Sequence, residues 1–418
     1  MTTSAPDDSA PHPPSQAGRQ FAPAGATEDR GELALVLTGG GARGAYQVGL
    51  LRYLSRTYPE LRIPILSGVS AGAINAAHMA QHHGTFDQAT AELAALWGEL
   101  TPDRIFRVDM PSLVGNLGRW GLRLTAGGMT EARTRGLVDT APLRELLEDA
   151  LAPVAGELTG IDYNLHRGTL RALALSTTDF TTGQSVVWVQ GREIETWERP
   201  GRVSRPCRMT VDHVMASSAL PLFFPAVQIG PHWYGDGGIK LTAPLSPALH
   251  LGARKIMAVS TRYDRNRGEA SRPVVAGYPP PAQVIGLLLE SIFLEVVDQD
   301  VARMERMNEV LRRVPSERRE GMRIVDLFVM RPSQDLARIA AEYEPRLPRA
   351  FRLMTRGLGT RETATPEVLS MLMFQGNYAK RLIALGEADA ERRADELDAF
   401  INGPGAAATV ESLAQVGG

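Results

Sequence analysis

The sequence predicts an α/β fold whose central sheet is mostly parallel, and two observations support this prediction. An apolar run, Leu33–Thr38, ends in glycines and is followed by a helical pattern. The same order comes again directly afterwards, with the run Ile63–Leu66, a second glycine turn and a second helical pattern. Continuous apolar runs are typical of strands buried on both faces, and strands that alternate with helices form parallel sheets with right-handed crossovers.

The remaining elements follow from periodicity and from turn residues. We expect helices over Thr85–Leu100, Pro142–Leu151, Val211–Ala219, Gln283–Val314 and Leu369–Leu385. We expect a hairpin over Leu170–Gln190 and further strands at Val227–Ile229, His232–Tyr234, Ile256–Ser260 and Ile324–Met330, the last added to the same sheet. The irregular, glycine-rich stretch Pro102–Gly128 is predicted to form a surface loop.

The composition is that of an ordinary globular protein and argues against several classes of function. Of 418 residues, 44% are hydrophobic and 22% are charged. Lys plus Arg (45) nearly balance Asp plus Glu (47), and no block of like charge stands out, so nothing predicts a nucleic-acid partner. The single cysteine, Cys207, excludes an internal disulfide, suits a reducing compartment and lacks the surroundings of a nucleophile.

No secretory signal and no transmembrane segment is predicted, so we expect a cytoplasmic protein. The first 31 residues are rich in Pro, Ser, Ala and Asp and are expected to be disordered. The most apolar stretch, Val284–Val297, is short and is interrupted by Glu290 and Glu295. We expect a core helix there. The alternatives are a lid and an anchor that contacts the membrane surface transiently.

The first glycine turn, Gly39–Gly44, is a candidate anion site. Consecutive glycines at a helix N-terminus expose several N–H groups to one point, where the helix dipole favours negative charge, so Gly39, Gly40 and Gly41 suit an oxyanion hole. The turn also fits the dinucleotide pattern G-x-G-x-x-G through Gly44, but the acidic residue of that pattern is missing after the second strand. Nucleotide binding therefore remains an alternative.

Arg43 lies inside this turn, and three interpretations of its side chain are open. The guanidinium steadies the turn, contacts a phosphate of the substrate, or faces solvent.

Ser70 is the candidate nucleophile. It stands between Gly68 and Gly72, directly after the second strand and directly before a helix. This is the strand, sharp turn and helix order of a nucleophile elbow, in which the serine hydroxyl is exposed above the helix N-terminus. A serine hydroxyl needs a base to take its proton and donors to hold the oxyanion that forms.

Asp236 is the candidate base. It stands at the end of a strand, just after the predicted run His232–Tyr234, and Gly237 and Gly238 follow it, which leaves space beside the carboxylate. A plain Asp-Gly turn is the alternative.

The histidines favour neither a catalytic triad nor a metal site. His250 is the only histidine after Asp236, and it lies in a helical stretch rather than in a loop after a terminal strand, which disfavours a Ser-Asp-His hydrolase. His78 and His82 share a helix face, but no glutamate follows the first of them as in a zincin, so we expect no metal site.

Three motifs in this order resemble those of the patatin-like phospholipase family: Gly39–Gly44, Gly68–Gly72 and Asp236–Gly238. The segment Ala216–Pro225 resembles the one that leads to the family's aspartate, and Val284–Asn308 and Met373–Ala390 resemble the C-terminal extension of its bacterial branch. The resemblance covers Leu33–Ala390.

The resemblance implies a three-layer α/β/α sandwich and a serine hydrolase that needs neither metal nor cofactor. Ser70 would attack an ester-linked acyl chain of a phospholipid or lysophospholipid, Asp236 would take its proton, and Gly39, Gly40 and Gly41 would hold the oxyanion. Arg43, Gly44, Gly68, Gly72, Gly237 and Gly238 would support these motifs. A catalytically silent scaffold or lipid-binding protein of the same fold is the alternative.

The expected organisation has four parts. Residues 1–31 form a tail, 32–262 a patatin-like catalytic domain, 263–400 a mainly helical C-terminal extension packed on that domain, and 401–418 a flexible tail.

Overall fold

The computed structural model describes residues 32–107, 136–221, 223–271, 273–275, 277–348, 351–352 and 366–403. The predicted N-terminal tail, most of the loop Pro102–Gly128, Leu222 and residues 404–418 of the C-terminal tail lie outside these ranges. The expectations for those segments therefore stay predictions.

The described strands form one sheet. They are β1 (Leu33–Leu37), β2 (Ile65–Gly68), β3 (Ala172–Asp179), β4 (Ser185–Gly191), β5 (Glu198–Arg199), β6 (Arg202–Pro206), β7 (Val227–Ile229), β8 (His232–Asp236), β9 (Lys255–Val259) and β10 (Asp326–Met330). The order is β10-β9-β1-β2-β3-β4-β6-β5, and the hairpin β7-β8 is added where β8 pairs with the end of β3. The run from β10 to β3 is wholly parallel.

Helices pack around this sheet. Those before β9 are α1 (Ala45–Thr57), α2 (Ala71–Gln81), α3 (Phe86–Gly98), α4 (Ala141–Leu151), α5 (Thr159–Arg167), α6 (Val211–Ser217) and α7 (Ser246–His250). Those after β9 are α8 (Arg267–Ala270), α9 (Pro281–Phe293), α10 (Glu295–Arg312), α11 (Leu336–Tyr343), α12 (Glu367–Leu372), α13 (Gly376–Arg392) and α14 (Ala394–Asn402).

The central strand β1 shows why the fold has three layers. Leu35 and Leu37 belong to one apolar cluster, and Ala34 and Val36 belong to the cluster on the opposite face of the sheet. Side chains alternate across a strand, so an unbroken apolar run buries both faces when helices cover each of them. The predicted α/β/α architecture with a mostly parallel central sheet is confirmed.

Two long helices predicted from periodicity are interrupted. The stretch Gln283–Val314 divides at Leu294 into α9 and α10, and Phe293 and Leu294 at this break are both buried. The stretch Leu369–Leu385 divides between α12 and α13, where the N–H of Gly376 donates a 2.7 Å hydrogen bond to the carbonyl of Leu100. Tertiary contacts thus override the helical periodicity.

The C-terminal part of the chain is built into the same sheet. Strand β10 belongs to the same sheet, as the sequence predicts, and the structure shows that it pairs in parallel with β9. Helix α13 packs against α1. No helix in the described ranges is long and apolar enough to cross a membrane.

Candidate active site

The two glycine turns and Asp236 meet at the carboxyl edge of the parallel strands. The turn Gly39–Gly44 follows β1, and Ser70 follows the neighbouring strand β2. Strand β8 approaches from the other side, since Asp236 pairs with Thr177 near the end of β3. Ligands of open α/β sheets bind at this edge.

Ser70 has a strained backbone. Its φ of 56° and ψ of −129° lie outside the regions that residues other than glycine usually adopt. The helix α2 begins at the next residue, and its Gly72 approaches β1 so closely that a Cβ there would lie 2.2 Å from the carbonyl oxygen of Leu37. Strain of this kind is typical of functional sites, and it supports the predicted nucleophile elbow.

Two serines at the C-terminal end of α6 hold this turn in place. The N–H of Ser70 donates a 3.1 Å hydrogen bond to Oγ of Ser217, which in turn donates a 2.7 Å bond to the carbonyl of Ser176. The hydroxyl of Ser218 donates a 3.1 Å bond to the carbonyl of Ser70. Ser217 and Ser218 lie in the segment Ala216–Pro225, but no local sequence pattern predicts these hydrogen bonds.

Asp236 is buried completely and is fixed through its main chain. Its N–H donates a 3.1 Å hydrogen bond to the carbonyl of Ala219, and the hydroxyl of Thr178 donates a 2.8 Å bond to its carbonyl. In the side chain, Oδ1 accepts a 2.9 Å bond from the N–H of Gly238.

The Ser70 hydroxyl lies beside this carboxyl. It is close enough to lower the pKa of Asp236 as a hydrogen-bond donor, yet Oδ2 has no partner of ordinary hydrogen-bond geometry among the described residues. The contact between the two side chains therefore departs from ordinary hydrogen-bond geometry.

Burial has the largest influence on the pKa of Asp236. Loss of water around the charged form raises the pKa of Asp236 to about 7, and the Ser70 hydroxyl and the Gly238 N–H act in the opposite direction. A carboxylate with this pKa is a stronger base than an exposed one and is still largely ionised just above neutral pH.

The described histidines are engaged elsewhere. Their partners are the carbonyl of Ala89 for His78, Glu92 for His82, the carbonyl of Gln81 for His83, the carbonyl of Asp162 for His166, Thr210 for His213, Asp179 for His232 and the ring of Trp197 for His250.

Within the described ranges, no group of three or more His, Cys, Asp and Glu side chains is arranged to hold a metal ion. Burial raises the pKa of the Cys207 thiol to about 12, which disfavours the thiolate.

The turn Gly39–Gly44 is packed between Ser70 and the C-terminal part of the chain. A Cβ on Gly39 would lie 3.7 Å from Oγ of Ser70, so the main chain of Gly39 borders the hydroxyl. Gly41 has a φ of 58°, and a Cβ there would lie 2.2 Å from the carbonyl oxygen of Met371. The hydroxyl of Thr261 donates a 2.7 Å hydrogen bond to the carbonyl of Gly39.

The other motif glycines are contact points around this centre. The space that a Cβ would take is filled by Ala71 and Trp97 at Gly44, by Gly72 at Gly68, by Ser176 at Gly237 and by Phe293 at Gly238.

Arg43 does not face solvent. Its side chain is buried, forms an ion pair with Glu367 and donates a 2.7 Å hydrogen bond from Nε to Oγ of Ser370. Burial is the largest single influence on the pKa of Arg43 and lowers it, but the charge and hydrogen bond of Glu367, together with Tyr378 and Asp335, outweigh burial, and the pKa is raised. The structure therefore supports the first of the three interpretations, in which Arg43 steadies the turn.

An apolar pocket opens beside Ser70. Its cavity volume is about 40 Å³. Besides Ser70 and Gly41, its apolar lining includes Ile74, Leu96, Trp97, Leu143, Leu146, Phe224 and Phe374. A narrow pocket of this composition suits a hydrocarbon chain.

Comparisons with solved structures find similar chains at low identity. Human GIVD cytosolic phospholipase A2 is 12% identical with a TM-score of 0.45, and the match covers 89% of this chain and 60% of that one. VipD from Legionella pneumophila is 13% identical with a TM-score of 0.29, and 82% of this chain and 66% of that one are covered. The chain thus spans less than two thirds of the length of these proteins.

A comparison with curated proteins found no match. The model of the family described as patatin-like phospholipase matches residues 35–249, just over half of the chain and the region that contains all three motifs. The chain belongs to the patatin-like phospholipase family.

Proposed function

We propose that the protein is a serine hydrolase that cleaves ester-linked acyl chains from lipids, phospholipid or lysophospholipid, through Ser70 and Asp236. The observation that carries the proposal is a strained serine that lines an apolar pocket and lies beside a buried carboxyl whose pKa is raised to about 7. Family membership agrees with it.

In the proposed first step, Oδ2 of Asp236 takes the proton of the Ser70 hydroxyl while Oγ attacks the ester carbonyl. The negative charge moves to the carbonyl oxygen, and the N–H groups of Gly39, Gly40 and Gly41 stabilise it. The tetrahedral intermediate collapses, the alcohol leaves with the proton from Asp236, and an acyl group remains on Ser70.

In the second step, Asp236 takes a proton from water, which attacks the acyl-enzyme. The fatty acid leaves, and the proton returns to Oγ of Ser70. The apolar pocket would hold the acyl chain during both steps, because its lining offers dispersion contacts and little polar surface.

A fluorophosphonate probe tests the nucleophile, since it reacts with activated serines. We expect mass spectrometry to locate the adduct on Ser70, and Ser70→Ala to lose labelling and to hydrolyse a lipid panel at least about a thousandfold more slowly. Ser55→Ala is a matched control, because Ser55 is also buried but lies on α1 and bonds to Thr90.

An unlabelled Ser70 together with retained lipid binding would instead support the silent, lipid-binding alternative. Hydrolysis that persists in Ser70→Ala would show that another residue is the nucleophile.

We further propose that the outer face of α9 contacts the lipid surface. Val284, Leu287 and Leu288 are exposed on this helix, which has no Lys or Arg, and Phe293 at its end packs against Gly238 of the site. The helix thus connects an exposed apolar face with the proposed catalytic centre, and its lack of positive charge favours neutral or zwitterionic lipid.

Flotation with phosphatidylcholine vesicles tests this contact. Leu287→Gln should reduce vesicle binding, whereas Val310→Gln should not, because Val310 is equally exposed (both 51%) but lies near the far end of α10. Equal binding of both variants and the wild type would contradict the proposal.

A further inference from the structure

We infer that Glu367 and Ser370 of α12 are positioning residues that hold the proposed oxyanion-binding turn through Arg43. The inference rests on the proposed function, and it makes the C-terminal extension a part of the catalytic apparatus even though these two residues do not touch the reacting atoms.

Arg43 contacts α12 through an ion pair and a hydrogen bond. The guanidinium pairs with Glu367 and bonds to Ser370, and all three side chains are buried. The hydroxyl of Ser370 also donates a 2.7 Å hydrogen bond to the carbonyl of Glu367, which fixes its orientation. A buried charge left without its partner is strongly unfavourable, so Arg43 is held where α12 places it.

The main chain transmits this position to the glycines. The N–H of Arg43 donates a 3.2 Å hydrogen bond to the carbonyl of Gly40, and the carbonyl of Met371 lies directly against Gly41. Since Gly40 and Gly41 both have positive φ, their N–H directions depend on the tightness of this turn. Helix α12 therefore contacts the turn at two points, the side chain of Arg43 and the main chain of Gly41.

A second cation supports Glu367 from the other side. Nη2 of Arg265 lies 3.1 Å from Oε1 of Glu367 and 3.5 Å from Oδ2 of Asp335. Glu367 is thus fixed between two arginines, one of which belongs to the turn.

A pair of esters that differ only in the atom that takes up the charge tests the inference. Hydrogen-bond donors stabilise a developing oxyanion better than a developing thiolate, so a well-placed oxyanion hole favours a p-nitrophenyl ester over its thiono counterpart, in which sulfur replaces the carbonyl oxygen. The measured quantity is the ratio of kcat/KM for the two esters.

We expect Glu367→Gln to lower kcat/KM for the ordinary ester by about ten- to a hundredfold and to change that for the thionoester far less. Ser370→Ala should act in the same direction with a smaller effect, and it carries the test if Glu367→Gln does not fold. Glu387→Gln is the matched control, because Glu387 pairs with Arg52 and Arg56 of α1 and not with the turn.

Equal losses on both esters, or no loss, in a folded variant would overturn the inference. Failure of the proposed function itself is recognised separately, because it would appear as hydrolysis retained by Ser70→Ala.

Discussion

The Oδ1 atom of Asp236 accepts a 2.9 Å hydrogen bond from the N–H of Gly238, so Oδ2 is the oxygen left to take a proton. The hydrogen bond to Oδ1 fixes the orientation of the buried carboxylate and leaves Oδ2 as an acceptor without a partner of ordinary hydrogen-bond geometry among the described residues. The consequences of this arrangement can be measured as the pH dependence of the rate and of stability.

The first prediction concerns the rate as a function of pH. Asp236, as the proposed base, would act only when ionised, and its pKa is raised to about 7. We therefore expect kcat/KM for a p-nitrophenyl ester to rise with pH, with an apparent pKa near 7, and to level off above it. The rate of fluorophosphonate labelling should follow the same curve and serves as a control that does not depend on nitrophenol absorbance. A rate that stays constant down to about pH 5 would contradict a base with a raised pKa.

The second prediction concerns stability. The pKa of Asp236 is raised, so between the unfolded value of 3.8 and the folded value of about 7 the native state holds a proton that the unfolded chain has lost, and the free energy of unfolding falls as pH rises. Asp236→Asn removes this cost. Relative to the wild type, we expect its gain in stability to be larger by about 3 kcal/mol at about pH 8 than at about pH 5.

Urea unfolding at the two pH values measures this difference. Asp149→Asn is the control, because Asp149 is exposed on α4, and it should follow the wild type at both values. Equal stability changes of Asp236→Asn at both pH values would mean that the carboxylate is not disfavoured by burial.

The third prediction concerns the turn after β1. Gly41→Ala combines a positive φ with a clash against the carbonyl of Met371, whereas Gly183→Ala has a similar φ of 73° and open space around it. Strain alone costs about 1–2 kcal/mol. We expect Gly183→Ala to show only this cost, and Gly41→Ala to be destabilised further and to lose hydrolysis. Indistinguishable thermal unfolding of the two variants would show that α12 yields to the added methyl group.

The fourth prediction concerns chain length. Leu143 lines the pocket beside Ser70, so Leu143→Phe shortens the space for an acyl chain. We expect kcat/KM for a palmitoyl ester to fall about tenfold more than that for a butyryl ester. Leu251→Phe introduces the same change into the apolar cluster on the opposite face of the sheet and should leave the ratio unaltered. An unchanged ratio in Leu143→Phe would place the acyl chain elsewhere.

The sequence was sufficient for those parts of the site that are encoded locally. Ser70 and the glycines of the turn after β1 follow neighbouring parallel strands, and chain order alone brings such positions to one edge of a sheet. Asp236 was identified through the glycines that follow it, and the placement of β8 against β3 explains how it reaches the same edge.

Contacts between distant segments could not be predicted in this way. Arg43 and Glu367 are separated by 324 positions, so nothing near the arginine indicated its partner. Ser217 and Ser218 act through main-chain atoms of Ser70, and an ordinary serine has no local pattern that predicts such bonds. Short helices were missed for a related reason, because α5 and α11 have only nine and eight residues and tertiary packing stabilises them.

The ion pair between Arg43 and Glu367 also affects when the turn can be completed during translation. A ribosome makes Ser70 and the glycine turn early, but it adds the acid that neutralises the buried arginine about three hundred residues later. Until then the growing polypeptide contains the proposed nucleophile without the ion pair that holds the neighbouring turn. The proposed hydrolysis would therefore begin only late in translation, when the nascent chain is long enough to fold α12 onto the candidate site.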